Sequence, residues 1–261
     1  MSAVVIGGGL VHYEAFGRGR PVVFVHGWLG SWRYWMPTME ALASDYRTYA
    51  LDLWGFGDSD KSRDRYSVAD YTRLISDFTD QLGIVSASLV GHSLGAVVAL
   101  RLAVLEPRLV SRLAVVSLPL TADAVSGRLL DYSSNSVLNK MFWRRQIVHK
   151  EVQQEAEKAA DNVISLSMQS ALEVDAQNLV DQVPQPVLAV YGEKDGLVDP
   201  EPVRALDGRR NSLRPIGLAQ SRHFPMLEEA NKFNRLLKDF LEVGDDLSGL
   251  TLKEEWKRRT R

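Results

Sequence analysis

The pentapeptide GHSLG at residues 91–95 follows the apolar run SASLVG at residues 86–91 and opens a nearly all-apolar stretch at residues 94–105. Glycines on both sides of Ser93 allow a strand to turn into a helix more tightly than Cβ atoms would permit. Such a turn exposes the Ser93 hydroxyl above a helix N-terminus, where negative charge developing on a reacting oxygen is favoured. The chemistry suggested is nucleophilic attack by an alcohol. A serine hydroxyl is a poor nucleophile until a base takes its proton, so such a site needs a histidine. The bland alternative is a small-residue turn that only packs a helix on a sheet.

Other chemistry-bearing residues recur at comparable places. His26 and Gly27 end the run at residues 19–27, and Asp52 stands at the end of the run at residues 47–53. Asp195 follows the run at residues 186–192. Together with a run at residues 113–117, these segments read as five short buried strands. Helical patterns separate them at residues 32–43, 68–82 and 94–105. In the second, Tyr71, Leu74, Ile75, Phe78 and Leu82 recur three and four residues apart. Strands alternating with helices predict a parallel sheet with right-handed crossovers, and ligands of such sheets gather at the carboxyl ends of the strands.

The alternation fails between Pro119 and Pro184. That stretch holds no strand-like run and no internal proline, and it reads as several helices inserted between two strands. The expected organisation is a core of residues 1–119 and 185–243, a helical cap at residues 120–184, and a polar C-terminal tail at residues 244–261. The tail carries Lys253, Lys257, Arg258, Arg259 and Arg261 beside Asp245, Asp246, Glu254 and Glu255, and is expected to be a solvated or frayed end.

Composition limits the function. In 261 residues, 45% are hydrophobic and 25% charged, the make-up of a globular protein with a sizeable core. Lys and Arg number 31 against 33 Asp and Glu, a net charge of -2, which argues against nucleic acid or an anionic membrane as partner. With no cysteine, disulfides, a thiolate nucleophile, thiolate zinc sites and iron–sulfur clusters are excluded together. No apolar stretch approaches the roughly 18 residues of a membrane span. The N-terminal residues lack a basic region and their apolar run is broken by glycines, so a secretory signal is not expected and a cytoplasmic enzyme is. No Walker A, dinucleotide-binding or His-Glu-x-x-His motif occurs, so no metal or nucleotide cofactor is implied.

From about residue 10 to residue 243 the chain resembles the α/β-hydrolase superfamily. The landmarks are HGW at residues 26–28, DLWGFGDS at residues 52–59, GHSLG at residues 91–95, GEKD at residues 192–195 and SRHF at residues 221–224. Serine, aspartate and histidine come in the order that family uses. The resemblance implies an α/β fold: a mostly parallel, doubly wound sheet with helices on both faces and an inserted helical cap. It also implies that Ser93 is the nucleophile, His223 the base and Asp195 the acid that orients it. Among His12, His26, His92, His149 and His223, only His223 follows a late strand in a loop before a helix. Rivals for the acid are Asp199 and Asp123, the latter after the preceding strand, where some relatives place it. The backbone N–H groups of Trp28 and Leu94 would form the oxyanion hole. His26 and Asp52 are expected to be structural residues of their loops.

Four of the six tryptophans, Trp28, Trp32, Trp35 and Trp54, lie between residues 28 and 54. Core packing suits Trp35, whereas Trp28 is expected to line the pocket. Met141, Phe142 and Trp143 form an apolar cluster that either faces the site from the cap or packs within it. Lys140, Arg144, Arg145 and Lys150 read as a solvated helix face. The implied reaction is hydrolysis of a small carboxylic ester with an apolar acyl or aryl part, through an acyl-enzyme. The same machinery serves perhydrolases and haloperoxidases, carbon–carbon bond hydrolases, thioesterases, lactonases, and low-turnover ligand sensors of this fold.

Overall fold

The computed structural model describes residues 2–62, 65–127, 149–160 and 162–252. Eight strands form one sheet: β1 (Ser2–Ile6), β2 (Gly9–Gly17), β3 (Arg20–Val25), β4 (Tyr46–Leu51), β5 (Ala87–His92), β6 (Val110–Val116), β7 (Val187–Gly192) and β8 (Leu213–Leu218). Their order is β1-β2-β4-β3-β5-β6-β7-β8. The β1/β2 and β2/β4 pairs are antiparallel, and every pair from β4 to β8 is parallel. The six parallel strands therefore end on one edge of the sheet. His26, Asp52, Ser93, Ser117 and Asp195 all follow their carboxyl ends.

Five of the eight strands are the apolar runs of the sequence. Strands β5 and β7 are buried along their whole length, as expected of a sheet covered on both faces. The β1–β2 hairpin and β8 lack that signature. β1 alternates partly buried and exposed residues at an edge, and β8 (LRPIGL) carries Pro215 and Gly217. Proline, which cannot donate to a ladder, is tolerated in β8 because that strand is the other edge.

The described helices are α1 (Met36–Leu42), α2 (Val68–Gln81), α3 (Leu94–Leu105), α4 (Lys150–Glu157), α5 (Val163–Leu172), α6 (Ala176–Gln182), α7 (Glu201–Arg204), α8 (Pro225–Glu228) and α9 (Ala230–Glu242). The segment predicted as one helix over residues 32–43 is a 3-10 turn, Trp32–Trp35, running into α1 with Pro37 in its first turn. A capping box starts α2, with Ser67 and Asp70 bonding each other's backbone N–H. α3 buries apolar residues around its whole circumference, which keeps it tight on the sheet. α1 is tied to α9 by the Thr38 hydroxyl donating to Asn234 at 2.8 Å, while α2, α3 and α6 pack together elsewhere.

Two boundaries differ from the expected ones. α6 lies within the expected cap but packs on α3, with Ala176, Val180 and Val183 buried. It is the crossover helix that returns the chain to β7, and its apolar face needs α3 as a partner. The start of the tail is docked on the core at two leucines, with the polar residues between them exposed. Leu247 and Leu250 are buried, Leu247 N–H donates to Asn211 O at 2.7 Å, and Arg112 donates to the Val243 carbonyl. Leu247, Leu250 and the partly buried Leu252 dock this otherwise polar stretch on the core. The basic run at residues 253–261 lies outside the described residues, as do Lys140, Met141, Phe142, Trp143, Arg144 and Arg145.

Candidate active site

Ser93 is the hinge between β5 and α3. It has φ 52° and ψ -115°, a left-handed conformation that is costly for a residue with a Cβ. The flanking glycines explain how the chain tolerates it. A Cβ on Gly91 would lie 2.7 Å from Ala96 Cα, and one on Gly95 would lie 2.6 Å from the His26 carbonyl oxygen. Ser93 N–H is anchored to Val116 O at 2.8 Å. The expected exposure of the hydroxyl is not found. Ser93 is completely buried, and its Oγ has no hydrogen-bond partner among the described residues. One cause is the loop after β3: Gly27 comes so near that a Cβ there would sit 2.8 Å from Ser93 Cβ.

His223 stands in the loop between β8 and α8 and Asp195 in the loop after β7. Their side chains meet, Asp195 Oδ2 lying 2.8 Å from His223 Nδ1, with 6% and 1% of the His and Asp side chains exposed. The other carboxylate oxygen, Oδ1, accepts from the Leu197 and Val198 N–H groups at 2.9 and 3.1 Å. Both loops are fixed to each other. Lys194 N–H donates to Ser221 O at 2.9 Å, and the absent side chain of Gly192 leaves room for the Ser221 and Arg222 carbonyls. Glu229 accepts from Gln220 N–H and Ser221 Oγ at 2.8 and 2.9 Å, which closes the His223 loop onto α9's first residues. The rival carboxylates are elsewhere: Asp199 and Asp123 are exposed, and Asp199 accepts from Glu201 N–H.

The two proposed oxyanion donors flank this arrangement in the chain. Leu94 N–H begins α3, and Trp28 N–H follows Gly27; neither has a hydrogen-bond partner among the described residues. His26 behaves as a loop residue. Its Nδ1 donates to Gly27 O at 2.8 Å, and its Nε2 accepts from Leu53 N–H at 2.9 Å. Complete burial lowers its pKa, which keeps the ring neutral and able to accept. The Trp28 side chain is buried, and its Nε1–H donates to Ser167 Oγ of α5 at 2.9 Å. It borders a gap of ≈ 10 Å³ with Pro119, Thr121, Ala171 and Leu172, room for about one water. Trp35 is fully buried against Phe24 and Phe233.

Asp52 is likewise a loop anchor. Its carboxylate accepts from Trp32 N–H at 2.8 Å and Asp58 N–H at 2.9 Å, and His12 Nδ1 stands 3.3 Å away. His12, Asp52 and Asp58 offer ligand atoms within 4.8 Å of one another. Each is already engaged by a protein partner, Asp58 by Arg33 at 2.8 Å, so the cluster reads as an ion-pair network.

Tyr34 and Ser117 were not singled out from the sequence, yet both belong to this neighbourhood. Tyr34 OH accepts from Gly27 N–H at 2.6 Å, and Ser117 Oγ donates to His223 O at 3.1 Å. Ser117 carried a signal, being a polar residue at a strand end like Ser93 and Asp195. Tyr34, inside the aromatic segment WRYW, carried none.

Comparison with known proteins agrees with the fold. Residues 20–146 match the family described as alpha/beta hydrolase fold. The acetyltransferase component (dihydrolipoyllysine-residue) of the acetoin cleaving system of Pseudomonas putida is 24% identical over 90% of this chain and 68% of its own length. The pimeloyl-[acyl-carrier protein] methyl ester esterase of Vibrio campbellii is 26% identical over 88% of this chain and 98% of its own. The crystal structure of the enol-lactonase of Burkholderia xenovorans LB400 superposes with a TM-score of 0.81 at 18% identity, covering 93% of this chain and all of that one. The chain has the α/β-hydrolase fold, and residues 20–146 carry the sequence pattern of that family.

Proposed function

We propose that the protein is a serine hydrolase that cleaves a carboxylic ester through an acyl-enzyme, with Ser93, His223 and Asp195 as its triad. The observation that carries this reading is the buried His223–Asp195 pair, 2.8 Å between Nδ1 and Oδ2, in a chain that also holds Ser93 in a strained strand-to-helix turn at the carboxyl edge of the same sheet. With Nδ1 engaged by Asp195, His223 Nε2 is the atom that takes the Ser93 proton. Ser93 Oγ attacks the ester carbonyl carbon, and the carbonyl electrons move to oxygen, facing the Trp28 and Leu94 N–H groups. Collapse of this intermediate breaks the carbon–oxygen bond, and His223 returns the proton to the departing alcohol. Water then repeats the sequence and frees the acid. Asp195 keeps the imidazole in one tautomer and offsets its positive charge.

The likeness to pimeloyl-[acyl-carrier protein] methyl ester esterases supports an ester of a small alcohol as substrate, with an apolar acyl group. The helices between β6 and β7, with Met141, Phe142 and Trp143 in the same insertion, would form the cap that shapes the acyl pocket. No helix of the described residues is long and apolar enough to cross a membrane, which suits a substrate met in water. The test is turnover of p-nitrophenyl acyl esters, with lactones and thioesters alongside. Wild type should favour the oxygen esters, and Ser93→Ala should lower kcat by roughly 10³ or more with the fold intact. Hydrolysis at the wild-type rate by Ser93→Ala, or turnover of thioesters alone, would overturn the reading.

A further inference from the structure

Two buried polar side chains beside Ser93 take no part in the proton path above: the His92 imidazole and the Tyr34 phenol. The His92 ring packs against those of Tyr34, Phe224 and His223, with centroids 5.5, 5.0 and 4.8 Å away. Its Nε2 is 2.8 Å from the His223 carbonyl oxygen. A carbonyl only accepts, so Nε2 carries the proton and Nδ1 a lone pair. The Tyr34 hydroxyl, 3.0 Å from Nδ1, donates to it, and the same phenol oxygen accepts from Gly27 N–H. Each bond in this series therefore has one direction. Complete burial holds His92 well below the ordinary imidazole pKa, and His223 nearby adds to the effect, so the ring stays neutral.

The far end of the series is gripped twice. The His223 carbonyl also accepts from Ser117 Oγ, and Ser117 sits at φ 48°, its own N–H donating to Val190 O at 2.8 Å. A serine in that conformation at a strand end persists only where surrounding bonds hold it. The general base is thus fastened by its main chain to the ends of β5 and β6, and through Tyr34 to the loop that carries Trp28.

We infer that His92 and Tyr34 are positioning residues, a hydrogen-bonded strut that sets the His223 main chain and the Gly27–Trp28 loop relative to one another. The inference rests on the roles proposed above for Ser93, His223 and Trp28. One network would then align both the proton acceptor and an oxyanion donor, and loosening it would misplace both without altering ground-state binding.

Tyr34→Phe removes the hydroxyl and keeps the ring. The measurements are kcat and KM on p-nitrophenyl butyrate, inhibition by an aryl boronic acid, and the melting temperature. A boronic acid forms a tetrahedral adduct with the serine and so reads the same alignment as the transition state. The expected result is KM within about threefold of wild type. Falls in kcat and in boronate affinity should match, each about tenfold to a hundredfold, the scale of an ångström-sized misplacement. Should this variant not fold, His92→Gln and His92→Met decide. The glutamine amide can still donate to the His223 carbonyl and should retain at least fivefold more kcat than the methionine. Unchanged kcat and boronate affinity in folded Tyr34→Phe, or equal kcat in the two His92 variants, would overturn the strut. If Ser93→Ala is inactive in the same assay, only the strut fails and the triad stands.

Discussion

Asp195 differs from the other acidic residues near the strand ends in what its two oxygens do. One oxygen accepts from two backbone N–H groups, and the other faces His223. The loop thereby presents a single lone-pair direction to the imidazole, which selects the tautomer with its proton on Nδ1. Asp195→Asn keeps the shape but can place an N–H donor where the acceptor stood. It should lower kcat by up to about 10⁴, as expected when the base is held in the wrong tautomer, with little change in melting temperature. Asp199→Asn and Asp123→Asn alter exposed carboxylates and should stay within threefold of wild type. Steady-state kinetics of the three variants check this, and an equal loss in Asp123→Asn would move the acid to the loop after β6.

At the scale of elements, the loop after β4 is held by a buried carboxylate and the β1–β2 hairpin. His12 on β2 meets Asp52, and Ser59 Oγ donates to Asp52 O at 2.7 Å while accepting from His12 N–H at 2.9 Å. The hydrogen bond to Asp52 raises the His12 pKa above its ordinary value of 6.5, against the opposing effect of burial. A raised folded value means that protonated His12 stabilises the fold. That contribution is complete below pH 6.5 and is lost as pH rises through the higher folded value. The melting-temperature difference between wild type and His12→Gln should therefore be larger at pH 6 than at pH 9. A difference that is constant or grows with pH would remove the charge from this account. The hairpin is thus more than an edge: it steadies the loop whose Leu53 N–H fixes His26, and through His26 the loop of Trp28.

On the scale of the whole molecule, the helices between β6 and β7 are joined to the sheet's carboxyl edge by polar contacts. Trp28 Nε1–H reaches Ser167 in α5, Val68 N–H at the start of α2 reaches Ser170 at 3.0 Å, and Ala160 N–H reaches Gly55 O at 2.9 Å. Arg33 links Asp58 of the sheet's loops to the buried Glu155 of α4. The Trp28 contact ties the proposed oxyanion loop to the proposed pocket cover, so a change there should be felt in acyl selectivity. Ser167→Ala leaves the buried indole N–H without its acceptor. It should shift the ratio of kcat/KM for short and long acyl esters by about fivefold, the scale of one hydrogen bond near 1 kcal/mol. Ser165→Ala, an exposed position one helical face away, should leave the ratio unchanged. Equal shifts in both variants would separate the α5 seam from selectivity.

How much of this was legible in the chain follows from the range over which each signal acts. The GHSLG turn, the buried strands at β3 to β7 and the helices α2 and α3 are written in neighbouring residues. Backbone sterics and the burial of period-2 or period-3.6 apolar faces act over a few positions. Strand ends on one edge of a parallel sheet then followed from alternation alone, whereas His223, beyond a strand that the apolar pattern does not mark, came only from the family resemblance. The edge strands β1 and β8 were harder to read, because an edge tolerates the polar residues, glycine and proline that a central strand does not, and β2, paired with β1, carries no continuous apolar run either. The docking of Leu247 and Leu250, the reassignment of α6 to the sheet layer, the full burial of Ser93, and the Tyr34–His92–Ser117 contacts around His223 leave no local pattern. Each joins residues far apart in the chain. Whether a given hydroxyl or ring nitrogen finds a partner depends on the packing that brings three loops and two strand ends within hydrogen-bond distance.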